Sequence, residues 1–281
     1  MIRHIPRVAL ALLVLALPAR AIDIQQVTSP EGIDAWLVED HSIPFVALSI
    51  LFRGGASMDA DGQRGVTTLM TALLEEGAGP RDATGFAQAA EALGARFSFD
   101  AGDDAVTVSA RMLTENREAS ADLLHDALTL PRFDAADVER VRAQLLAVIR
   151  SEATDPQAIA SKALAAEIWG GHPYATSING TTDSVAALSP DDLRAAKDRV
   201  LARDRLIISA AGDVTPGELG TLIDRILADL PAQATAPCPR PRRIRDRAAS
   251  PSSTGTARRR WWGSPPPRSR WMIRIISRHL S

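Results

Sequence analysis

Cysteine, lysine, histidine and long apolar runs are all scarce in this chain of 281 residues, and each scarcity excludes something. The single cysteine, Cys238, rules out an internal disulfide, and Pro237 and Pro239 on either side of it argue against a nucleophile. Only two lysines, Lys162 and Lys197, stand against 30 arginines, so the chain has none of the mixed basic runs of a typical nucleic-acid-binding arm. The five histidines are widely spread, with none between His41 and His125, so no helix in that stretch can bring two imidazoles one turn apart to hold a metal. The longest N-terminal apolar run, residues 8–17, is about half the ~20 residues that a spanning helix needs. No later segment reads as a membrane span, and no internal repeat is visible.

What is present divides the chain into three parts. Residues 1–21 read as a secretory signal: Arg3 and Arg7 precede the apolar run, and Ala19-Arg20-Ala21 supplies a small-x-small cleavage site. Export to the periplasm or the cell exterior follows from that reading. Residues 22–236 are an acidic body, with 17 basic against 33 acidic side chains. Residues 237–281 are a basic tail holding 12 of the 30 arginines, 7 of the 18 prolines and 3 of the 5 tryptophans, with one acid, Asp246. The tail reads as disordered and as the product of a frame-shifted or truncated reading frame. An exported, acidic body argues against nucleic acid as a partner.

The body alternates strands and clusters of helices. Residues 24–28 and 33–38, joined by Ser29-Pro30-Glu31-Gly32, form a hairpin signal. Residues 45–52 are continuously apolar, as in a central strand. Residues 65–79 read as a helix whose buried face is Val66, Leu69, Met70, Leu73 and Leu74, with Gly77, Gly79 and Pro80 closing it. Residues 83–93 form a second helix with Thr84 as a cap and Gly94 as its stop. Residues 96–100 and 105–111 form a strand pair, in which Val106, Val108 and Ala110 alternate with Thr107 and Ser109. Helices follow at 115–130, at 134–149 with Asp134 as its cap, at 155–169 and at 189–200, then a strand at 206–211 and a helix at 216–230. Strands in groups followed by helices in groups predict an α+β domain, a mixed sheet with helices packed on one face.

Several blocks together resemble the N-terminal domain of the pitrilysin/insulinase-type zinc peptidases, the inverzincins of the H-x-x-E-H motif, and most closely their processing-peptidase branch. They are Arg53-Gly54-Gly55-Ala56-Ser57-Met58-Asp59, Gly65-Val66 opening the helix, Leu93-Gly94-Ala95, Asp155-Pro156, Gly171-His172-Pro173-Tyr174 before Gly180-Thr181, and residues 206–213. The likeness runs over residues 24–231. With Gly65 as the fixed point, the resemblance puts the two zinc histidines at Thr68 and Ala72, the catalytic glutamate at Thr71, and the third ligand at Ala147 or Val148. None of these side chains can ligate zinc or activate water. The resemblance therefore implies no zinc, which is the family's cofactor, and a non-catalytic homologue. It implies as partner a zinc-carrying peptidase of the same family, as in a heterodimer, and it implies extended peptides paired to a sheet edge at Arg96–Ala101, through Phe97, Ser98, Phe99 and Asp100. A truncated, non-functional fragment and an active zinc metalloendopeptidase are the alternatives. Glu75 and Glu76, at the end of the motif helix, are the carboxylates nearest the empty motif. His41, His125 and His172 are read as structural.

Overall fold

Alternating apolar and polar side chains build the sheet that organises this molecule. The structure is a computed structural model, and it describes residues 23–236. The signal segment and the basic tail expected from sequence lie outside the described residues. Eight strands form: β1 (Gln25–Thr28), β2 (Asp34–Glu39), β3 (Phe45–Arg53), β4 (Gly77–Ala78), β5 (Arg81–Asp82), β6 (Arg96–Ala101), β7 (Ala105–Leu113) and β8 (Leu206–Gly212). The helices are α1 (Val66–Ala72), α2 (Ala83–Leu93), α3 (Arg117–Thr129), α4 (Ala135–Glu152), α5 (Pro156–Trp169), α6 (Thr182–Ala187), α7 (Pro190–Val200) and α8 (Pro216–Leu227).

Six strands share one mixed sheet in the order β1-β2-β8-β3-β7-β6, while β4 and β5 pair separately. Only β2 and β8 run parallel; β1–β2, β8–β3, β3–β7 and β7–β6 are antiparallel. The apolar run at Phe45–Arg53 is indeed interior, paired on both sides. Its inward residues Leu48, Ile50 and Phe52 join Val106, Val108 and Met112 of β7 and Ile208 of β8 in one core. That core is completed by Leu69 and Met70 of α1, Leu124 of α3, Val141 of α4, Val185 of α6, Leu193 of α7 and Ile223 of α8. The domain is therefore α+β, with a mixed sheet and helices.

The structure corrects local expectations. Helix α1 stops at Ala72 rather than near Gly77, because Leu73 and Leu74 donate to carbonyls three residues back, Met70 O and Thr71 O, which tightens the helix end into turns. Glu75 and Glu76 thus lie beyond the helix. The cap of α2 is Asp82, which accepts from the Gly85 N–H at 2.7 Å, and not Thr84. Asp134 holds the N-cap position of α4, but its carboxylate accepts from Arg132 Nε at 2.6 Å instead of capping. Helix α6 was missed, since a six-residue helix closed by a Thr181–Ser184 capping box is too short to show periodicity.

Candidate functional site

Helix α1 starts from a buried anchor. Gly65 sits at φ 94°, and a Cβ there would fall 2.5 Å from Asn179 O, so only glycine fits. The Asp59 side chain, 0% exposed, accepts from the Gly65 N–H at 3.1 Å and from the Thr67 hydroxyl at 2.5 Å. It also accepts from Arg199 Nη2 at 3.0 Å, which ties α7 to the same point. Burial pushes the Asp59 carboxyl up, and Thr67, Arg199, Gly65 and Arg64 oppose that shift. Arg64 donates to Ala56 O and, through Nη2, to Pro173 O at 3.0 Å and Thr176 O at 3.3 Å. The exit of β3, the start of α1 and the 173–181 loop are thus one hydrogen-bonded unit.

The positions aligned to the zinc motif lie on this helix and its neighbour. Thr68 is half-buried and donates to Ile178 O at 2.7 Å. Thr71 is buried, and its hydroxyl donates back to Thr67 O at 3.1 Å and Thr68 O at 3.0 Å. Ala72 is exposed, one turn from Thr68. Ala147 and Val148 are exposed on α4, which packs against α1. The threonine hydroxyls therefore serve the backbone. None of the five positions offers an imidazole, thiolate or carboxylate, and the residues present do not fit zinc. No group of three or more His, Cys, Asp or Glu side chains among the described residues is placed to hold a metal ion. Glu76, beyond the helix, accepts from Arg140 at 2.6 Å, so it is engaged in an ion pair.

The histidines sit in structural surroundings. His172 Nδ1 accepts from the Tyr174 N–H at 3.3 Å. Its ring lies edge-on to Tyr174, which in turn lies edge-on to Trp169. The Tyr174 hydroxyl donates to Asp104 Oδ2 at 2.5 Å, and burial followed by that bond pushes its pKa up to about 12. His125 contacts Ile226 O through Nδ1 at 3.3 Å. His41 bridges Asp213 at 2.6 Å and Glu39 at 2.8 Å, joining the ends of β8 and β2.

Strand β6 lies at the edge of the sheet, bonded only to β7, and α1 packs against it. Its side chains divide by face. Phe97 and Phe99 are half-buried and pack against the core. Ser98 and Asp100 are exposed and bond each other at 2.6 Å. What the edge presents is backbone, flanked by these two polar side chains. A second concave surface, an open groove of about 900 Å³, runs between the end of α4, α5 and the 174–182 loop. Ile149, Glu152, Ile159 and Lys162 line it. Glu152 accepts from Asn179 at 2.6 Å and Ser177 at 3.3 Å, holding the loop that receives the Thr68 bond.

Sequence reasoning missed Asp59, Arg64, Arg199 and Glu152. Asp59 and Arg199 are 140 residues apart, and no spacing rule connects them. The acid closing the Arg53–Asp59 block was the one visible hint.

The sequence profile of the insulinase family, peptidase family M16, matches residues 35–182, and the chain belongs to that family. It is 27% identical over 176 residues to the non-peptidase homologue YmxG of Helicobacter pylori, covering 63% of this chain and 41% of that one. It is 24% identical over 207 residues to an uncharacterized zinc protease of Mycobacterium leprae, covering 73% of this chain and 46% of that one. Among solved structures, an inactive M16 peptidase domain from Pseudomonas fluorescens superposes with a TM-score of 0.73 at 29% identity, over 78% of this chain and 54% of that one. The first half of the periplasmic protease PqqL of Escherichia coli superposes at 0.66 and 18% identity, over 76% of this chain and 47% of that one, and shares the fold. The chain spans about half the length of the curated relatives it matches. No described helix is long and apolar enough to cross a membrane.

Proposed function

We propose that this chain is a non-catalytic M16 homologue, a peptide-binding or scaffolding subunit that works in the periplasm or outside the cell beside a zinc-carrying member of its family. One observation carries the reading. The motif helix has a buried anchor at its start and lies beside β6, while the positions that the family resemblance assigns to the zinc ligands and the catalytic glutamate hold Thr68, Thr71, Ala72 and Val148. Without zinc there is no Lewis acid and no activated water. The family resemblance supports holding an extended peptide by backbone pairing along Arg96–Ala101, with Ser98 and Asp100 beside it. The relatives include both a non-peptidase homologue and proteins called zinc proteases, so the family accommodates both states.

The experiment is co-purification with a zinc-carrying M16 peptidase from the same cell. A stable complex that cleaves an unstructured peptide faster than the zinc-carrying subunit alone supports the reading. Absence of any complex, from a folded sample, favours the truncated-fragment reading.

A further inference from the structure

Edge strand β6 carries opposite charges at its two ends. Arg96, Ser98 and Asp100 stand exposed on one face, and Phe97, Phe99 and Ala101 are half-buried on the other. Arg96 and Asp100 are four residues apart, about 13 Å along a strand. Arg96 makes no hydrogen bond or ion pair among the described residues. The register sets it directly opposite Arg111 of β7, whose guanidinium lies 5.3 Å from the centre of the Phe45 ring. Like charges directly opposite destabilise a sheet, and β7 contains no acid to relieve them. At the other end Asp100 accepts from the Ser98 hydroxyl at 2.6 Å and meets no cation among the described residues. Its charge is felt nearby: burial, then Glu76 and Asp100, push the Glu75 carboxyl up.

The backbone of β6 is open on its outer side at every second residue. The Gly102 N–H donates to Ala105 O at 2.8 Å, which fixes the phase of the β6–β7 ladder. In an antiparallel pair alternate residues exchange both bonds. Arg96, Ser98 and Asp100 therefore turn their backbone groups to β7, while Phe97, Phe99 and Ala101 turn theirs to the open edge. An added antiparallel strand bonds at Phe97 and Phe99. Its residues opposite Arg96, Ser98 and Asp100 fall in non-hydrogen-bonded pairs, where Cα atoms approach to about 4.5 Å and side chains share the exposed face.

Building on the peptide pairing proposed for this edge, we propose that β6 selects the order of charge in its ligand: an antiparallel peptide with a basic residue opposite Asp100 and an acidic residue opposite Arg96, the base four residues N-terminal to the acid. Antiparallel addition continues the β7–β6 ladder and is the slightly more stable mode. The acid relieves the opposition of Arg96 and Arg111, and the base answers Asp100. A peptide of the same composition with the two charges exchanged sets like beside like at both ends and is refused. Backbone pairing supplies the affinity, and charge order supplies the choice among peptides.

The test is fluorescence anisotropy of the full chain with two short labelled peptides of one composition, the first carrying Lys and, four residues later, Glu, the second the same two residues exchanged. The Lys-first peptide is expected to bind about tenfold more tightly, since each exposed pair is weak but both change sign together, and the difference should shrink in high salt. Arg96→Glu combined with Asp100→Lys should invert the preference. If that double variant does not fold, Arg96→Gln and Asp100→Asn, both at exposed positions, should each reduce it. A Lys-first peptide methylated on the two backbone nitrogens that pair with Phe97 and Phe99 should not bind. Equal binding of the two orders, or tighter binding of the Glu-first peptide, with binding lost on methylation, overturns the charge-order proposal and leaves the peptide-pairing role standing. A preference that survives methylation also overturns it, because the site is then not the edge. Binding of neither peptide to the folded chain overturns the pairing role and the charge order together.

Discussion

Asp59 is the residue on which the local order of the motif helix depends. Its fully buried carboxylate gathers the Gly65 N–H, the Thr67 hydroxyl and the Arg199 guanidinium. Asp59→Ala leaves Arg199 without its counter-charge, and the expected loss is about 3–5 kcal/mol, measured by urea unfolding. Adding Arg199→Met to that variant should recover part of the loss, because the two residues act as one unit. His41 gives a pH-dependent counterpart at the surface. Its hydrogen bonds to Asp213 and then Glu39 raise its pKa. Stability from a raised histidine is complete below the unfolded-state value of about 6.5 and fades as pH rises through the folded-state value. His41→Gln should therefore lower Tm more at pH 5.5 than at pH 8.5; an equal loss at both would show that the bridge contributes no charge-dependent stability. Neither residue's role was legible in the sequence. Asp59 appeared only as the end of a recognisable block and His41 as an isolated strand-edge histidine, because Arg199 and Asp213, which give them their wider role, lie more than a hundred residues away.

At the scale of elements, the sequence foretold more. Alternation over residues 105–111, the continuous apolar run at 45–52 and the glycine stop at Gly94 produced strands Ala105–Leu113 and Phe45–Arg53 and the expected helix end. Periodicity failed where elements are short or where a side chain overrides propensity. Helix α6 has six residues, and α1 ends early in tightened turns although the apolar spacing continues through Leu73 and Leu74. The edge strand was placed correctly, and its phenylalanines are half-buried against the core, since a strand beside a packed helix turns its large apolar face inward. The alignment of α1 with the zinc motif makes its own prediction. Thr68→His, Thr71→Glu and Ala72→His, combined with Val148→Glu, should create a chain that binds about one zinc, read by metal analysis after dialysis. If that combination and its Ala147→Glu counterpart both stay metal-free while folded, the alignment on Gly65 is wrong. Losing the Thr68 bond to Ile178 O should lower the stability of the rebuilt chain by about 1 kcal/mol.

For the whole molecule, an M16-family domain fold surrounds a helix whose motif-aligned positions carry no metal-ligating side chains. The order and spacing of blocks over about 200 residues were legible because glycines and turn residues mark places where the backbone has few options: Gly65 and Gly180 each stand where a Cβ would meet backbone oxygen, at 2.5 and 2.1 Å. The central claim is the absence of metal chemistry, and it rests on side chains that cannot supply it. The most direct measurement is zinc content of the purified, folded chain together with cleavage of an unstructured peptide pool, with and without chelator. The account predicts no stoichiometric zinc and no cleavage that chelator abolishes. About one zinc per chain with chelator-sensitive hydrolysis would contradict it, and would place the active metal on residues other than Thr68, Thr71, Ala72 and Val148.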